Sequence, residues 1–260
     1  MREKSFATKG DAVIVTGAAG GIGAATVENL VNQGIFVFAV DKNSEALAKI
    51  LAGIDPEGGL TSAITADVTS EKECQALGEA VKKKGIRLKG LVNNAAVGAF
   101  NMSVENCSFD EWQRIISINL TSLYLVAKYA LPLIRSAGGG AIVNISSIHA
   151  QATSTGVAPY AAAKGGVLAL TKTMALDLAP DNIRVVCILP GATDTPMLRQ
   201  HAEREGKTLA ELGFPTSENA IGRIAQPEEV ADVIAFALSR GASFITGSSL
   251  IPDGGILAKF

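Results

Sequence analysis

Three side chains in the middle of the chain have types and spacings suited to moving a proton. Tyr160 and Lys164 are four residues apart, so on a helix they share one face, and Ser147 precedes Tyr160 by 13 residues. A phenol beside an ammonium can take a proton from an alcohol, while a hydroxyl holds the alcohol oxygen. The trio therefore predicts a proton-transfer site for an alcohol or a ketone.

The ammonium matters because a free tyrosine, with a pKa of about 10, is a poor base at neutral pH. Lowering that pKa to about 7 needs roughly 4 kcal/mol of preferential stabilisation of the phenolate. One ammonium at about 4 Å supplies energy of that order at an effective dielectric of about 20. We therefore expect Lys164 to lower the pKa of Tyr160, which would be the general base in oxidation and the general acid in reduction.

A glycine-rich turn near the N-terminus is the second motif. The segment TGAAGGIG, residues 16–23, follows an apolar run and opens a helix. Its glycines allow backbone N–H groups to approach a pyrophosphate at the helix N-terminus, although the spacing is not G-x-G-x-x-G. Asp41 ends the next apolar run 18 residues after Gly23, where a carboxylate can bond the adenosine ribose. Together these features predict a nicotinamide dinucleotide as the hydride carrier.

Asp41 also predicts which dinucleotide is bound. A 2′-phosphate beside this carboxylate would meet repulsion of roughly 1 to 4 kcal/mol at about 4 Å, offset somewhat by the neighbouring Lys42. The turn at 17–23 contains no Arg or Lys that could receive that phosphate. We therefore expect NAD to be preferred over NADP by about ten- to a thousandfold.

Short apolar runs alternate with segments of helix length, which predicts a doubly wound α/β sheet. We expect one domain over 1–260, a Rossmann fold with a mostly parallel seven-stranded sheet and helices on both faces. The predicted strands are 12–17, 35–41, 62–68, 90–96, 141–147, 183–191 and 248–255. A capping-box pattern at Ser108 and Glu111 opens a long helix reaching about 136, apolar around much of its surface. That helix should pack on the sheet and against another subunit, and the insertion at 196–220 should form a substrate lid.

Composition excludes several classes of function. The chain has 260 residues, 48% hydrophobic, with a net charge of −2 and a pI near 5.8, so we expect neither nucleic acid nor a membrane as a partner. No apolar run reaches the roughly 18–20 residues of a membrane span, and the N-terminus has no apolar signal region, which favours a cytoplasmic protein. Three scattered cysteines and two histidines predict reduced thiols and no metal site.

The chain resembles the short-chain dehydrogenase/reductase family across essentially its whole length. The resemblance rests on the glycine turn, the Tyr160-x-x-x-Lys164 pair with Ser147, and several further matches: Asp67-Val68, Asn93-Asn94-Ala95, Asn119, Pro190-Gly191 with Thr195, Arg223 ahead of Pro227-Glu228-Glu229, and Asp253-Gly254-Gly255. One departure is Ala96, where many members carry glycine.

The resemblance implies roles for residues that spacing alone does not assign. Catalysis would involve Asn119, Ser147, Tyr160 and Lys164, with Asn119 orienting a water that relays protons through Lys164. The residues implied to hold the cofactor are Gly17, Gly21, Ile22, Gly23, Asp41, Asp67, Val68, Asn93, Ala95, Tyr160, Lys164, Pro190, Gly191 and Thr195. Asp67 and Val68 would contact the adenine, and Thr195 the carboxamide side. Family members are usually tetramers, so a homotetramer (or dimer) is expected.

The substrate stays open at this point. His149 and Gln151 favour a small polar secondary alcohol such as a sugar, polyol or hydroxy acid, whereas Met197, Leu198 and Phe214 favour an apolar one. Two alternatives remain beside an NAD-dependent alcohol dehydrogenase. One is a carbonyl reductase resembling 3-oxoacyl thioester reductases, and the other is a dinucleotide-binding regulatory protein without turnover. The adjacent Gly165 and Gly166 predict that something packs closely against their helix.

Overall fold

Seven parallel strands form one sheet in the order β3-β2-β1-β4-β5-β6-β7 within residues 6–209, 211 and 220–258, which this computed structural model describes. The strands are β1 (Ala12–Thr16), β2 (Phe36–Asp41), β3 (Thr61–Thr65), β4 (Leu88–Asn93), β5 (Gly140–Ile145), β6 (Ile183–Ile188) and β7 (Ser249–Leu250). The order reverses direction at β1, which pairs with both β2 and β4. In such sheets ligands bind beyond the carboxyl ends of the strands at this switch point.

Helices cover both faces of the sheet. They are α1 (Gly21–Asn32), α2 (Ser44–Ile54), α3 (Glu71–Lys84), α4 (Phe109–Ile116), α5 (Ser122–Ser136), α6 (Ala158–Leu178), α7 (Pro196–Arg204) and α8 (Pro227–Leu238). Apolar side chains of α1, α2 and α8 pack in the core on one face, and those of α3, α5 and α6 pack on the other. The doubly wound Rossmann fold predicted from the alternating pattern is confirmed.

The predicted strands run too far at several carboxyl ends. The run 183–191 stops being a strand at Ile188, and the run 248–255 contributes only Ser249–Leu250. Beyond β7 the chain turns, because Gly254 and Gly255 have positive φ and the Asp253 carboxylate accepts the N–H groups of Gly255 and Leu257. The edge strands β3 and β7 are also partly exposed rather than buried on both faces. The motif residues therefore leave the sheet at its edge.

The long helix begins as predicted and contains one irregularity. Ser108 accepts the backbone N–H of Glu111, and the helical segment runs to Ser136 with a π-helical turn at Ser117–Thr121 between α4 and α5. By length and composition Phe109–Ser136 could cross a membrane, contrary to the expectation from the sequence. In the fold, however, 44% of its most apolar window is buried, and α5 contributes to the core beneath the sheet.

The glycine pair on α6 has a mixed outcome. A Cβ on Gly166 would lie 2.7 Å from a methyl carbon of Leu120, so the expected close packing is confirmed there. Gly165 has open space around it, and within this chain the same expectation is wrong. Nearby, Phe109 of α4, Tyr124 of α5 and Leu176 of α6 are 71%, 50% and 78% exposed. The apolar surface of these helices is thus only partly buried within this chain.

Candidate active site

The glycine turn joins β1 to α1 and is packed too tightly for side chains. Gly17 has a φ of +65°, and a Cβ on it would lie 2.9 Å from the Cα of Ala95. A Cβ on Gly21 would lie 2.8 Å from Cγ2 of Thr195, and one on Gly23 would overlap the carbonyl oxygen of Gly17. The N-terminus of α1 has no side-chain cap, so its backbone N–H groups face the turn without a carboxylate among them. This is the geometry that an anionic diphosphate requires.

Asn94 holds this turn in place, a role that the sequence analysis did not assign. Its amide nitrogen donates to the carbonyl oxygens of Thr16 and Gly17 at 3.0 and 3.2 Å, and its backbone N–H donates to the Thr16 hydroxyl. The sequence feature that could have predicted this role is the polar pair Asn93-Asn94 at the end of β4. Because β4 lies beside β1, polar side chains there lie at the same edge of the sheet as the glycine turn.

A cleft of about 400 Å³ opens next to the turn, over the carboxyl ends of β1, β2 and β3. Its lining includes five of the residues predicted to hold the cofactor: Gly17, Asp41, Asp67, Val68 and Ala95. Lys42 and Arg114 also line it, although Arg114 is paired with Glu111 at 2.8 Å. The sequence analysis did not predict that Arg114 and Ser117, one helical turn later, line this cleft. The helix pattern does not indicate which polar residues face a cleft.

The two carboxylates of this cleft are held differently. Asp41 accepts the backbone N–H groups of Ala19 and Asn43 at 3.1 and 3.0 Å, which fixes its side chain beside the glycine turn. Asp67 accepts both the hydroxyl and the backbone N–H of Thr69, and these bonds keep the pKa of Asp67 below its usual value. Both groups are therefore fixed hydrogen-bond acceptors in the cleft.

Asn93 lies below the cleft rather than on its surface. Its side chain is 2% exposed, and its amide nitrogen donates to Asn144 Oδ1 at 2.9 Å, while Asn93 Oδ1 has no hydrogen-bond partner. Asn144 in turn donates to the Thr171 hydroxyl on α6. This buried polar chain ties β4 and β5 to α6, so any contact of Asn93 with a cofactor would have to use its backbone.

At the reaction end, Ser147 and Tyr160 come together just beyond β5. Ser147 is 6% exposed, and its hydroxyl accepts the backbone N–H of His149 at 3.2 Å. Burial raises the pKa of Tyr160, while a hydrogen bond with Ser147 acts to lower it. The lowered tyrosine pKa expected from Lys164 is therefore not a property of the protein alone, in which desolvation of the phenolate is the larger effect.

Lys164 lies under Tyr160 on the same face of α6. Its Nζ atom is 5.5 Å from the centre of the tyrosine ring and donates to the carbonyl oxygen of Ile145 at 3.0 Å. The residue is only 2% exposed, and burial lowers the pKa of this ammonium to about 8. Lys164 is thus poised to lose its charge just above neutral pH.

Asn119 lies inside the π turn of the long helix and is fully buried. Its amide nitrogen donates to the carbonyl oxygen of Ile115 at 3.0 Å, and its Oδ1 accepts the backbone N–H of Val97 at 3.2 Å. The side chain therefore connects the helix to the loop that follows β4. Isolated π turns are often found at functional sites, and this one decides where Asn119 points.

Pro190, Gly191 and Thr195 follow β6, and Thr195 lies against Gly21 of the glycine turn. Pro190 accepts the backbone N–H of Ile148, and a Cβ on Gly191 would lie 2.9 Å from the Cα of Asp253. Thr195 caps α7 by accepting the N–H of Leu198 at 3.4 Å, and its methyl group fills the space left by Gly21. These contacts bring the start of α7 to the N-terminus of α1.

Ile22, the remaining member of the predicted set, packs against the core on the α1 face instead of lining the cleft. Of the two polar residues considered for the substrate, only His149 is part of the site. Its ring meets that of Tyr160 edge to face at 5.7 Å, and its Nδ1 lies 3.0 Å from the Thr153 hydroxyl. Gln151 is exposed.

The arrangement fits a dinucleotide on structural grounds. The glycine turn excludes Cβ atoms, and the open cleft beside it has carboxylate acceptors. The buried Ser147 hydroxyl and Lys164 ammonium lie with the half-buried phenol of Tyr160 beyond β5. All three parts lie on the carboxyl edge of the same sheet. This fold and site define the class of Rossmann-fold oxidoreductases.

Comparison with known proteins identifies the family. The family model described as enoyl-(acyl carrier protein) reductase matches residues 17–257. The chain is 39% identical to a cyclopentanol dehydrogenase of Comamonas sp. (strain NCIMB 9872), over 95% of this chain and 97% of the relative. It is 37% identical to a cyclohexanol dehydrogenase of Acinetobacter sp. (strain SE19), over 95% and 94%. The chain belongs to the short-chain dehydrogenase/reductase family, as its motifs predicted.

A solved structure agrees with this assignment. The ligand-free aldohexose dehydrogenase of Thermoplasma acidophilum superposes with a TM-score of 0.87 at 34% identity, covering 97% of this chain and 96% of the other. The protein is thus an oxidoreductase of CH–OH groups that uses a nicotinamide cofactor.

Proposed function

We propose that this protein is an NAD-dependent dehydrogenase that interconverts a secondary alcohol and a ketone. The observation that carries the proposal is the meeting of Ser147, Tyr160 and Lys164 at the sheet edge that also bears the glycine turn and Asp41. A proton-transfer group and a dinucleotide cleft on one edge are what hydride exchange with an alcohol requires.

In the mechanism that we propose, Ser147 holds the substrate oxygen and Tyr160 removes its proton in oxidation, or returns it in reduction. A bound nicotinamide would supply the acceptor for the hydride of the carbinol carbon. Lys164 stabilises the phenolate of Tyr160 and would bond the nicotinamide ribose. Asn119 orients the water through which the proton reaches Lys164. Burial raises the pKa of Tyr160 in the protein alone, so positive charge close to the ring would favour the phenolate that acts as the base.

The preference for NAD follows from Asp41. Two backbone N–H groups hold its carboxylate in the cleft beside the glycine turn, where it would accept the ribose hydroxyls. Lys42 lines the same cleft and weakens the repulsion of a 2′-phosphate without removing it. Asp67 and Val68 would contact the adenine.

For the substrate we propose a compact alicyclic secondary alcohol. The support comes from two relatives whose names specify cyclopentanol and cyclohexanol. A small polar alcohol, such as a sugar, polyol or hydroxy acid, is the second candidate. It is favoured by the imidazole of His149 next to Tyr160 and by the name of the structural neighbour, an aldohexose dehydrogenase.

We also propose that the chain is a single domain with a substrate lid. Residues 196–220 would form the lid, of which α7 is described, whereas 210 and 212–219, including Phe214, lie outside the described residues.

For the assembly we propose a homotetramer. Two sets of exposed apolar side chains support it: Phe109, Tyr124 and Leu176 in one, Phe236, Phe244 and Ile251 in the other. We place the enzyme in the cytoplasm. Light scattering of the purified protein tests the assembly, and a monomer would contradict it.

The test of function is NADH formation from NAD with cyclopentanol, cyclohexanol, an aldohexose, a polyol and a hydroxy acid, with NADP in parallel. We expect turnover with at least one alicyclic alcohol and a clear preference for NAD. Turnover only with the polar alcohols would replace the first substrate class by the second. No oxidation of any alcohol, together with no reduction of the matching ketones, would overturn the proposed function.

A further inference from the structure

The loop that follows β4 is fixed at both of its ends to elements of the reaction site. At one end the backbone N–H of Val97 donates to Asn119 Oδ1. At the other end Met102 forms a β-bridge with Val157 and exchanges hydrogen bonds with Gly156 and Ala158, just before Tyr160 on α6. Residues 98–101 therefore span the substrate side between Asn119 and Tyr160.

Phe100, in the middle of this span, stacks on His201 of α7. The two rings are 3.7 Å apart between centres and inclined by only 6°. The chain makes room for this arrangement at Gly98, because a Cβ there would overlap the ring of Phe100. The stack is therefore a specific contact between two segments about 100 residues apart in the chain, and it requires a residue without a side chain at position 98.

The neighbouring residue makes a second contact with the same part of the chain. Asn101 has a φ of +57°, a conformation that non-glycine residues rarely adopt, and its amide nitrogen donates to Glu205 at 3.0 Å. Gly156 lies against the Asn101 backbone, with a distance of 3.4 Å from a Cβ built on it to the Asn101 Cα. This left-handed conformation, which asparagine tolerates better than most residues, directs the Asn101 side chain towards the end of α7.

We infer that these two contacts, Phe100 with His201 and Asn101 with Glu205, form a bridge that closes the substrate side above Tyr160 and restricts the enzyme to compact alcohols. The loop is held at Asn119 and just before Tyr160. Helix α7 starts at Thr195, whose methyl group lies against Gly21 of the glycine turn. Joining the two segments limits the room beyond the reacting carbon. The inference rests on the proposed function, adds a size filter to it, and depends only on described residues.

The test compares two alcohols with the same reacting ring, cyclohexanol and 4-tert-butylcyclohexanol. In His201→Ala the stack is lost, so we expect the ratio of kcat/KM for the bulky alcohol to that for cyclohexanol to rise about three- to tenfold, the range that one aromatic pair supports. His201→Phe preserves a stack and Gln200→Ala changes an exposed neighbour on the same helix, so both should stay within about twofold of the wild-type ratio. An unchanged ratio in His201→Ala would overturn the size filter.

Limited digestion with trypsin tests the bridge without any turnover. Arg199 and Arg204 lie on α7 and Lys207 follows it, so loss of the bridge should speed cleavage there about three- to tenfold in His201→Ala but not in Gln200→Ala. Equal cleavage rates in the wild type and His201→Ala would show that no bridge holds α7. A wild type that oxidises neither alcohol would overturn the alicyclic substrate class and the size filter together, without deciding the proposed dehydrogenase function, while the trypsin comparison would still decide the bridge.

Discussion

The proposed cofactor site has two ends that are built in opposite ways. At the end proposed for the adenosine, beyond β1 to β3, backbone and small residues pack so closely that Gly17, Gly21 and Gly23 leave no room for a Cβ, and the carboxylates lie near the surface. At the proposed reaction end, Ser147 and Lys164 are buried, and Lys164 is 2% exposed. We therefore expect binding to depend on shape at one end and chemistry to depend on desolvated, titratable groups at the other.

Removing the hydroxyl of Tyr160 should separate the two ends most completely. In Tyr160→Phe we expect kcat to fall by about 10³-fold or more, since general acid–base catalysis contributes about 10²- to 10⁴-fold and no other described phenol is near Ser147. The NADH dissociation constant, measured by fluorescence titration, should change less than about threefold. Comparable turnover in mutant and wild type would contradict the assigned role.

Asp41→Asn tests the adenosine end without touching the chemistry. We expect the preference for NAD over NADP, taken as the ratio of kcat/KM values, to fall by about ten- to a thousandfold, because the repulsion of a 2′-phosphate is lost. The asparagine oxygen can still accept a backbone N–H, which limits the structural damage. The control is Asp67→Asn in the same cleft, for which the ratio should change much less.

Two glycines of the turn, Gly23 and Gly20, allow us to measure how much the close packing of the turn contributes to stability and NADH binding. Gly23→Ala should lower the thermal midpoint by several degrees and weaken NADH binding about tenfold or more, because the new Cβ overlaps the Gly17 carbonyl oxygen. Gly20→Ala is its matched control, since a Cβ there lies at an ordinary 3.5 Å from the same oxygen. Equal thermal midpoints for the two variants would show that the turn can relax.

The smallest effect should come from pH at the reaction end. The pKa of Lys164 is depressed to about 8, so its ammonium is present below that pH and is lost as the pH rises through it. If the ammonium bonds the nicotinamide ribose, NADH affinity should weaken by up to about tenfold per pH unit above about 8. Lys164→Arg keeps its charge and should give a flat profile. A flat profile in the wild type would remove Lys164 from the binding site.

The sequence predicted the frame of this site because its signals are local. Spacing of four residues was enough to place Tyr160 and Lys164 on one face of α6, and the strand-to-helix glycine turn led directly to α1. The alternation of apolar runs likewise predicted the sheet and both helical layers.

What the sequence did not predict depends on contacts between distant segments. Asn94 holds a turn almost 80 residues earlier in the chain, and Phe100 meets His201 only after α7 has folded back. The pKa of Tyr160 was expected to fall because the charge on Lys164 could be counted, whereas the burial that raises it could not. Contacts and burial that arise only in the folded chain thus decide the side-chain partners and pKa values that residue spacing does not predict.

The π turn at Ser117–Thr121 has a consequence for how this chain can vary in length. A π turn holds one residue more than the α-helical turn it replaces, so the direction of Asn119 is a matter of residue number as well as residue type. A deletion of one residue between 117 and 121 would rotate everything that follows relative to α4 by about a quarter turn. A substitution in this stretch therefore keeps the direction of Asn119, whereas an insertion or deletion changes it, so the register of the helix matters to the proposed site as much as the residue does.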